Sequence, residues 1–465
     1  MTEGTQDAAG SKSVVSAKPL PPGRPGLPLL GQTLAFLKNG FGFVEEGTRR
    51  FGPIFRTRIL GRETAVIVGP DASGEFIEPR DVQREGAMVP HVQELMGGRA
   101  LPVLDGPEHF ERKHFVLAAF SRDALVSYVP KIQTLLTGSL DRWAGANEIR
   151  WVDELKRLSL EMICDCVLGL PPGPTVDKLR GDYEKVLAGF SSLPIPLPGT
   201  AYTRARRALA RIMRVYDENI WEHRARPHDD GLSRILAAKS PATGRSMTAE
   251  EAKIELHHLV IAGLIVWAWL AYLVLELDRN PAVRKRLAEE VRRRAPSGPV
   301  SLEQFEGMFY LNQVTMEVRR LAPVVPVFFG KAARAFDFKG HTVPAGWMVL
   351  WGHRSSHVRE EVYKDPERFD PDRFAPPRSE HRRHEHAFVP NGAGAPTGHK
   401  CAGAALAPYF LQLFAIELLR GYTWQLSPGQ NLSYDWKRLP PEPRDGLRAH
   451  VGRPVESGRA VAASE

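Results

Sequence analysis

Residues 259–275, LVIAGLIVWAWLAYLVL, are 17 consecutive residues without a charge. Spanning a bilayer takes ~20 such residues, and His257, His258 and Glu276 close this run at both ends. The stretch is therefore expected to be a helix buried in a protein core rather than a membrane span. Thr248 and Glu251 mark its start with the S/T-x-x-E pattern, in which each side chain satisfies the other residue's backbone N–H. Asn280 and Pro281 stop it, so the pattern predicts one helix from Thr248 to about Asp278. At 1.5 Å per residue it would be ~45 Å long, enough to cross the whole molecule. The rest of the chain has to be arranged around it.

Segments 115–120, 125–143, 151–168 and 202–222 carry helical spacing, with breaks at the Gly/Pro clusters 170–174 and 193–199. Segment 21–31, PPGRPGLPLLG, can form neither helix nor central strand and reads as a stiff extended lead-in to a short helix at 41–51. Residues 54–58 and 64–68 predict a hairpin turning at Gly61. Three short strands follow late in the chain, at 336–338, 341–343 and 347–350, turning at Gly340 and Gly346. An irregular charged stretch at 358–383 precedes a last helix over 401–419, in which Pro408 would remove a backbone hydrogen bond. The expectation is a mainly α protein with small β-sheets. Residues 1–18 and 452–465 lack any hydrophobic period and are expected to be disordered tails.

A composition of 43% hydrophobic and 25% charged residues is that of an ordinary globular protein. The net charge of +8 comes from arginines spread along the chain, without the basic stripe that nucleic-acid binding would need. It reads as a solvated basic surface, with an acidic electron-transfer protein as the partner that would suit any patch. Of three cysteines, Cys164 and Cys166 are too close to staple a fold, which fits a reducing compartment. The first 17 residues lack the apolar core of a signal peptide, and a cytoplasmic protein without stable membrane insertion is expected.

The third cysteine stands in FVPNGAGAPTGHKCAG (388–403), where glycines surround a residue that opens a helix. Glycine permits close approach of the backbone to a flat ligand. A helix N-terminus and the neighbouring His399 and Lys400 favour a thiolate at Cys401. On its own, the loop leaves open the less favoured reading of an ordinary buried thiol beside a glycine-rich turn.

Together with other motifs, the loop resembles that of the cytochrome P-450 family, and the resemblance runs from about residue 21 to residue 451. The proline-rich lead-in, the E-x-x-R pair Glu317 and Arg320, PERFDPDRF (366–374) and Cys401 stand in the family's order. On an exposed helix, two charges three apart contribute only ~0.2–0.5 kcal/mol. The resemblance implies instead a buried network completed by Arg373, with Arg368 the other arginine of that motif. It further implies a single domain over 19–451 with a helical-bundle fold and a haem b (iron protoporphyrin IX) whose iron is held by Cys401, with Gly403 beside it. For the propionates it implies His109 and Lys113 in DGPEHFERKHFVLAAF (105–120), and His399. A further family arginine aligns with Gly330, leaving Lys331 as the neighbouring substitute.

One departure bears on the reaction. Where the family carries A-G-x-[D/E]-T in the distal pocket, this chain has Ala262, Gly263, Leu264, Ile265 and Val266. Valine has the shape of threonine but cannot relay a proton, and acid–base help is typically worth ~10²–10⁴-fold. Three readings stay open. A substrate hydroxyl or water supplies the proton in a monooxygenase that hydroxylates or epoxidises its substrate with electrons from a ferredoxin and reductase. Alternatively hydrogen peroxide is the oxidant, as the resemblance of the cysteine loop to that of fatty-acid peroxygenases suggests. The third is a haem protein, sensor or isomerase, that does not oxidise. Segment 190–202, FSSLPIPLPGTAY, resembles the branch that oxidises retinoids and sterols, so the expected substrate is an apolar lipid-like, terpenoid or polyketide small molecule. Trp267 and Trp269 are expected in the core.

Overall fold

The uncharged run folds at the centre of the molecule, but as two helices rather than one, Ala249–Leu264 and Trp267–Arg279. The expected capping box is present: Thr248 Oγ1 accepts from the Glu251 N–H and the Glu251 carboxylate accepts from the Thr248 N–H. The break falls at Ile265 and Val266. There the Val266 N–H turns to the Gly263 carbonyl and the Ala268 N–H to the Ile265 carbonyl, both at 3.2 Å. These i→i−3 bonds replace i→i−4 bonds, so the Ala262 and Leu264 carbonyls lose the partners an unbroken helix would give them. Trp267 and Trp269 are buried, as expected.

The computed structural model describes residues 18–78, 81–322, 324–436 and 438–454. Most of both expected tails lies outside the described residues. Gly452, read as the first residue of the second tail, closes the strand Arg448–Gly452, and Arg453 pairs with Asp141 at 2.5 Å. About 53% of the chain is helical. The Ala249–Arg279 and Ala402–Gly421 stretches are long and apolar enough to cross a membrane, but 78% and 61% of their most apolar windows are buried inside the protein.

Helices Gly106–Leu117, Arg122–Ala144, Trp151–Ile163 and Ala201–Ala225 surround the centre. The first starts well before the predicted position 115, because Gly106 and Pro107 open the helix rather than ending a loop. The third continues into a wide turn, Cys164–Leu168, that ends at Gly169 with a φ of 65°. Trp151–Ile163 packs so closely on the central helix that a Cβ at Gly263 would lie 2.4 Å from Ile163 Cγ1.

The hairpin Ile54–Ile59 and Arg62–Ile67 forms as predicted and extends into a five-stranded sheet. Arg62–Ile67 pairs in parallel with Met348–Trp351, which pairs with Phe328–Ala332, and that strand pairs with Val82–Gln83. The sheet explains Gly330, where a Cβ would meet Val82 Cγ1 at 2.4 Å. Of the three late strands expected, Phe336–Phe338 and His341–Val343 pair as a two-stranded ribbon, and the third, Met348–Trp351, belongs instead to the five-stranded sheet.

The last helix does not run smoothly from Cys401. A tight turn, Ala402–Ala404, bends at Gly403 before the helix proper, Leu406–Gly421, begins. This resolves Pro408, which falls in the first turn, where a backbone N–H has no partner inside the helix to lose.

Candidate active site

Cys401 is the exposed cysteine of the three; Cys164 and Cys166 are sealed, and burial pushes both of their thiols up. The loop holds Cys401 through its backbone N–H, which donates to the Asn391 carbonyl at 2.9 Å. Gly392 (φ 74°) lies where a Cβ would press on the Lys400 backbone at 3.4 Å. A Cβ at Gly403 would stand 4.0 Å from Cys401 Sγ and 3.8 Å from the Phe120 ring. Glycine thus leaves open the space in front of the sulfur.

Basic groups gather beside this loop. His109 and Lys113 lie four apart on Gly106–Leu117 and are buried. Lys113 Nζ donates to the Lys400 carbonyl, next to Cys401. The His109 ring packs on His399 with centroids 4.2 Å apart, and His399 Nε2 lies 3.2 Å from Asp105 Oδ1. Burial, reinforced by His399 and Lys113, pushes His109 down to about 3. Burial also lowers Lys113.

The structure adds Arg84 to this group, a residue the sequence did not single out. Its guanidinium lies 3.7 Å from the Phe76 ring centroid, its backbone N–H donates to Asp105 Oδ2 at 2.7 Å, and its Nη1 is buried without a partner. Burial takes its pKa down to about 10. Lys331, by contrast, pairs through its backbone with Gln83 and Met348 in the sheet and makes no ion pair among the described residues. With Gly330 sterically barred from carrying a side chain, Arg84 on the adjacent segment is the partly buried cation at this edge.

Asp105 is the carboxylate beside His109, His399 and Arg84, and the charge of Glu255 reaches Lys113. A buried ammonium such as that of Lys113 is costly unless an anion meets it. A flat ligand with carboxylates at its edge and a metal at its centre fits this arrangement: open space before a reachable sulfur, and cationic donors beside it.

The predicted charge network is present and complete. Arg320 Nε and Nη2 donate to the two oxygens of Glu317 at 2.7 and 2.8 Å, and Arg373 Nε donates to Glu317 Oε1 at 2.9 Å. All three side chains are 0% exposed. Glu380 is a fourth member, accepting from Arg373 Nη1 at 2.7 Å. Arg368 contributes only its carbonyl, which accepts from Arg373 Nη2 at 3.0 Å.

Ala262, Gly263, Ile265 and Val266 sit at the break in the central helix, with Ala262 and Ile265 partly exposed and Gly263 and Val266 buried. No hydroxyl or carboxylate is among them.

The cytochrome P450 family profile matches residues 21–439. Cytochrome P450 120 from Synechocystis sp. is 32% identical over 445 residues, covering 95% of this chain and 98% of that protein. A retinoic acid-bound cyanobacterial CYP120A1 superimposes with a TM-score of 0.86 at 32% identity, over 94% of this chain and 100% of that one. Cytochrome P450EX alpha (CYP152N1) with myristic acid shares the fold, with a TM-score of 0.78 at 22% identity over 94% and 100%. The chain belongs to the cytochrome P450 family and is a haem-dependent monooxygenase.

Two further positions escaped the sequence reading. Arg319, between the members of the E-x-x-R pair, turns to the other side of its helix. It is partly buried, and Nη2 donates to Asn391 Oδ1 at 2.5 Å, the residue whose carbonyl holds Cys401. Burial lowers its pKa to about 10. The signal was there: a third charge two positions after Glu317 must leave the face shared by Glu317 and Arg320. The second position is the pair His353 and His357, whose contacts with residue 389 no local pattern could show.

Proposed function

We propose that the chain binds haem b through the thiolate of Cys401 and oxidises an apolar, lipid-like acid or terpenoid in the cytoplasm, with electrons from a ferredoxin and its reductase. The observation that carries this reading is a reachable Cys401 beside the buried donors His109 and Lys113 and the partly buried Arg84, within a P450 fold. A thiolate ligand donates electron density to haem iron and favours cleavage of the O–O bond.

The chain's own residues supply the rest. His109, Lys113, His399 and Arg84 offer donors to the two propionates. Gly403 keeps a side chain out of the space before the sulfur. Glu317, Arg320 and Arg373 hold the cysteine loop through the segment packed against them, and Arg319 through Asn391. In the frame of Ala262, Gly263, Ile265 and Val266, Ala262 and Ile265 line the substrate side, Gly263 and Val266 are buried, and none of the four supplies a proton donor. The proton has to come from water or from the substrate. The retinoic acid bound to the cyanobacterial relative supports a retinoid-like substrate.

Hydrogen peroxide is the second reading: the loop GAGAPTGHKCAG resembles that of fatty-acid peroxygenases, although Ile265 and Val266 stand where those enzymes carry an Arg-Pro pair. The test begins with the absorption spectrum of the reduced protein under carbon monoxide. A red-shifted Soret band in the wild type and its loss in Cys401→Ala is the expected result; the same spectrum in both proteins would sink the reading. Product formed from retinoic acid with ferredoxin and reductase, compared with peroxide alone, then separates the two oxidants.

A further inference from the structure

The central helix is not uniformly buried. Leu256, Val260 and Gly263 are sealed, whereas Ile254, His258, Ala262 and Ile265 keep partial exposure. At 3.6 residues per turn these four positions fall within ~80° of one another, with Gly263 on the far side against Ile163. Protein closes both flanks of the stripe. On one flank Glu255 accepts from the Leu101 N–H at 3.1 Å and from Arg112 Nη1 at 3.1 Å. On the other, His257 is bonded to Tyr183 Oη at 3.1 Å and to the Leu95 carbonyl at 2.9 Å. A partly open stripe between packed flanks, on a helix at the centre of the molecule, is the wall of an internal cleft. Ala262 and Ile265 place that cleft on the substrate side.

Three of the four stripe residues are apolar and the fourth is His258. Its Nδ1 lies 3.1 Å from Glu255 Oε2. Glu255 is 1% exposed and its charge is met by Arg112, so this carboxylate can only accept and the Nδ1–H donates to it. The imidazole is thereby fixed in one orientation. Its Nε2, on the side away from Glu255, has no protein partner among the described residues, and the side chain keeps 17% exposure.

We propose that His258 anchors the carboxylate end of an apolar acid in this cleft, with Glu255 as the residue that orients it. This rests on the reading that the cleft takes a lipid-like substrate, and names the polar group by which it is recognised. A carboxylate at Nε2 completes a carboxylate–imidazolium–carboxylate row in which both ring nitrogens donate. Arg112 balances the inner carboxylate, so the incoming one is not repelled by an unpaired charge. One helical turn, ~6 Å, separates His258 from Ala262, and seven residues, ~10 Å, separate it from Ile265. An acid held at His258 lays its apolar body along Ala262 and Ile265, which directs oxidation to carbons remote from the carboxylate.

The test compares retinoic acid with its methyl ester and myristic acid with its methyl ester. Binding to the haem-loaded protein is read by tryptophan fluorescence quenching and by the substrate-induced spectral shift. Charge-assisted hydrogen bonds are worth about tenfold in affinity or more. The wild type is expected to bind the acid of a pair about tenfold more tightly than the ester, and His258→Leu to lose that preference while holding the ester as before. His258→Gln, which keeps a donor without a charge, is expected to fall between, and it decides the matter if the leucine variant does not fold. An acid-over-ester preference that is absent, or that survives in both variants, overturns the role of His258 alone. No binding of either pair to the wild type overturns the lipid reading and the anchor together.

Discussion

His357 Nε2 accepts the backbone N–H of Val389 at 3.0 Å, and this bond joins the buried charge network to the head of the cysteine loop. On its other side His357 is tied to the network, since its carbonyl accepts from Arg320 Nη1 at 2.9 Å. Its Nδ1–H donates to the His353 carbonyl at 3.0 Å. Burial holds the His357 pKa well below the usual histidine range, which keeps the ring neutral and Nε2 an acceptor. Val389 is gripped twice, because His353 Nε2 lies 3.1 Å from its carbonyl.

His357→Phe leaves the Val389 N–H buried and unpaired, at a cost of ~1–3 kcal/mol. A lower melting temperature and a smaller haem-loaded fraction are expected, partly restored in His357→Gln, which offers an acceptor again. Thermal denaturation and the Soret absorbance per protein read both. A loss of stability with full haem occupancy would show that the link to the loop is not through this bond.

Glu317→Ala strands Arg320 and the Nε of Arg373 in the interior, and removing one side of a buried pair costs ~3–5 kcal/mol. Arg368, whose side chain is exposed and whose part in the network is its carbonyl, is the control: Arg368→Ala should stay within ~0.5 kcal/mol of the wild type. Denaturant titration of the two variants checks the contrast. Similar midpoints for both would contradict it.

Val266→Thr changes shape least and adds the missing hydroxyl, which can lean on the freed Ala262 carbonyl one turn back. If proton supply limits the reductase-driven reaction, turnover by that route rises by about tenfold or more, within the ~10²–10⁴-fold scale of acid–base assistance. The peroxide-driven rate stays as it was. Parallel assays with the two oxidants measure the ratio, and an unchanged ratio means the proton already arrives by another path.

His223 and Asp230 form a buried pair at 2.8 Å. Burial is the largest influence and alone would lower the His223 pKa, but the bond to Asp230, its charge, the Asn219 carbonyl and Glu222 together outweigh it and the net shift is upward. Burial alone would raise Asp230, but the bond from His223 leads the contacts that bring it below its ordinary value. A raised histidine stabilises the fold fully below its unfolded pKa of 6.5 and loses that contribution as pH climbs through the folded value. The lowered aspartate contributes above its unfolded pKa of 3.8 and loses it as pH falls through the folded value. The melting-temperature gap between wild type and His223→Gln should therefore be widest near pH 5 and narrow toward pH 9. A gap that widens with pH would reverse the assignment.

Much of this was legible in the chain. The central helix announced itself because burial on all sides demands an uncharged run, and Thr248 and Glu251 marked its start through a local pattern. The break at Ile265 was not legible, since apolar residues continue across it and only the choice of hydrogen-bond partner changes. Cys401, Glu317, Arg320 and Arg373 could be named from motifs in order. Arg84, His353 and His357 could not, because each takes its role from contacts with distant segments: Asp105 for Arg84, and Val389 for the two histidines. Pro408 looked misplaced while the last helix was assumed to begin at Cys401. The Ala402–Ala404 turn removes the difficulty.

The parallel pairing of Arg62–Ile67 with Met348–Trp351 sets an order of events during synthesis. A parallel partner has to arrive by a crossover, and here the crossover is the helical body itself. At ~5–20 residues per second the early hairpin waits on the order of tens of seconds for its neighbour. Through that interval Ala65, Val66 and Ile67, all sealed in the finished protein, belong to an edge that nothing yet covers. A nascent chain halted before residue 348 would display that adhesive edge for as long as it persists, and N-terminal fragments of this enzyme are expected to aggregate rather than fold.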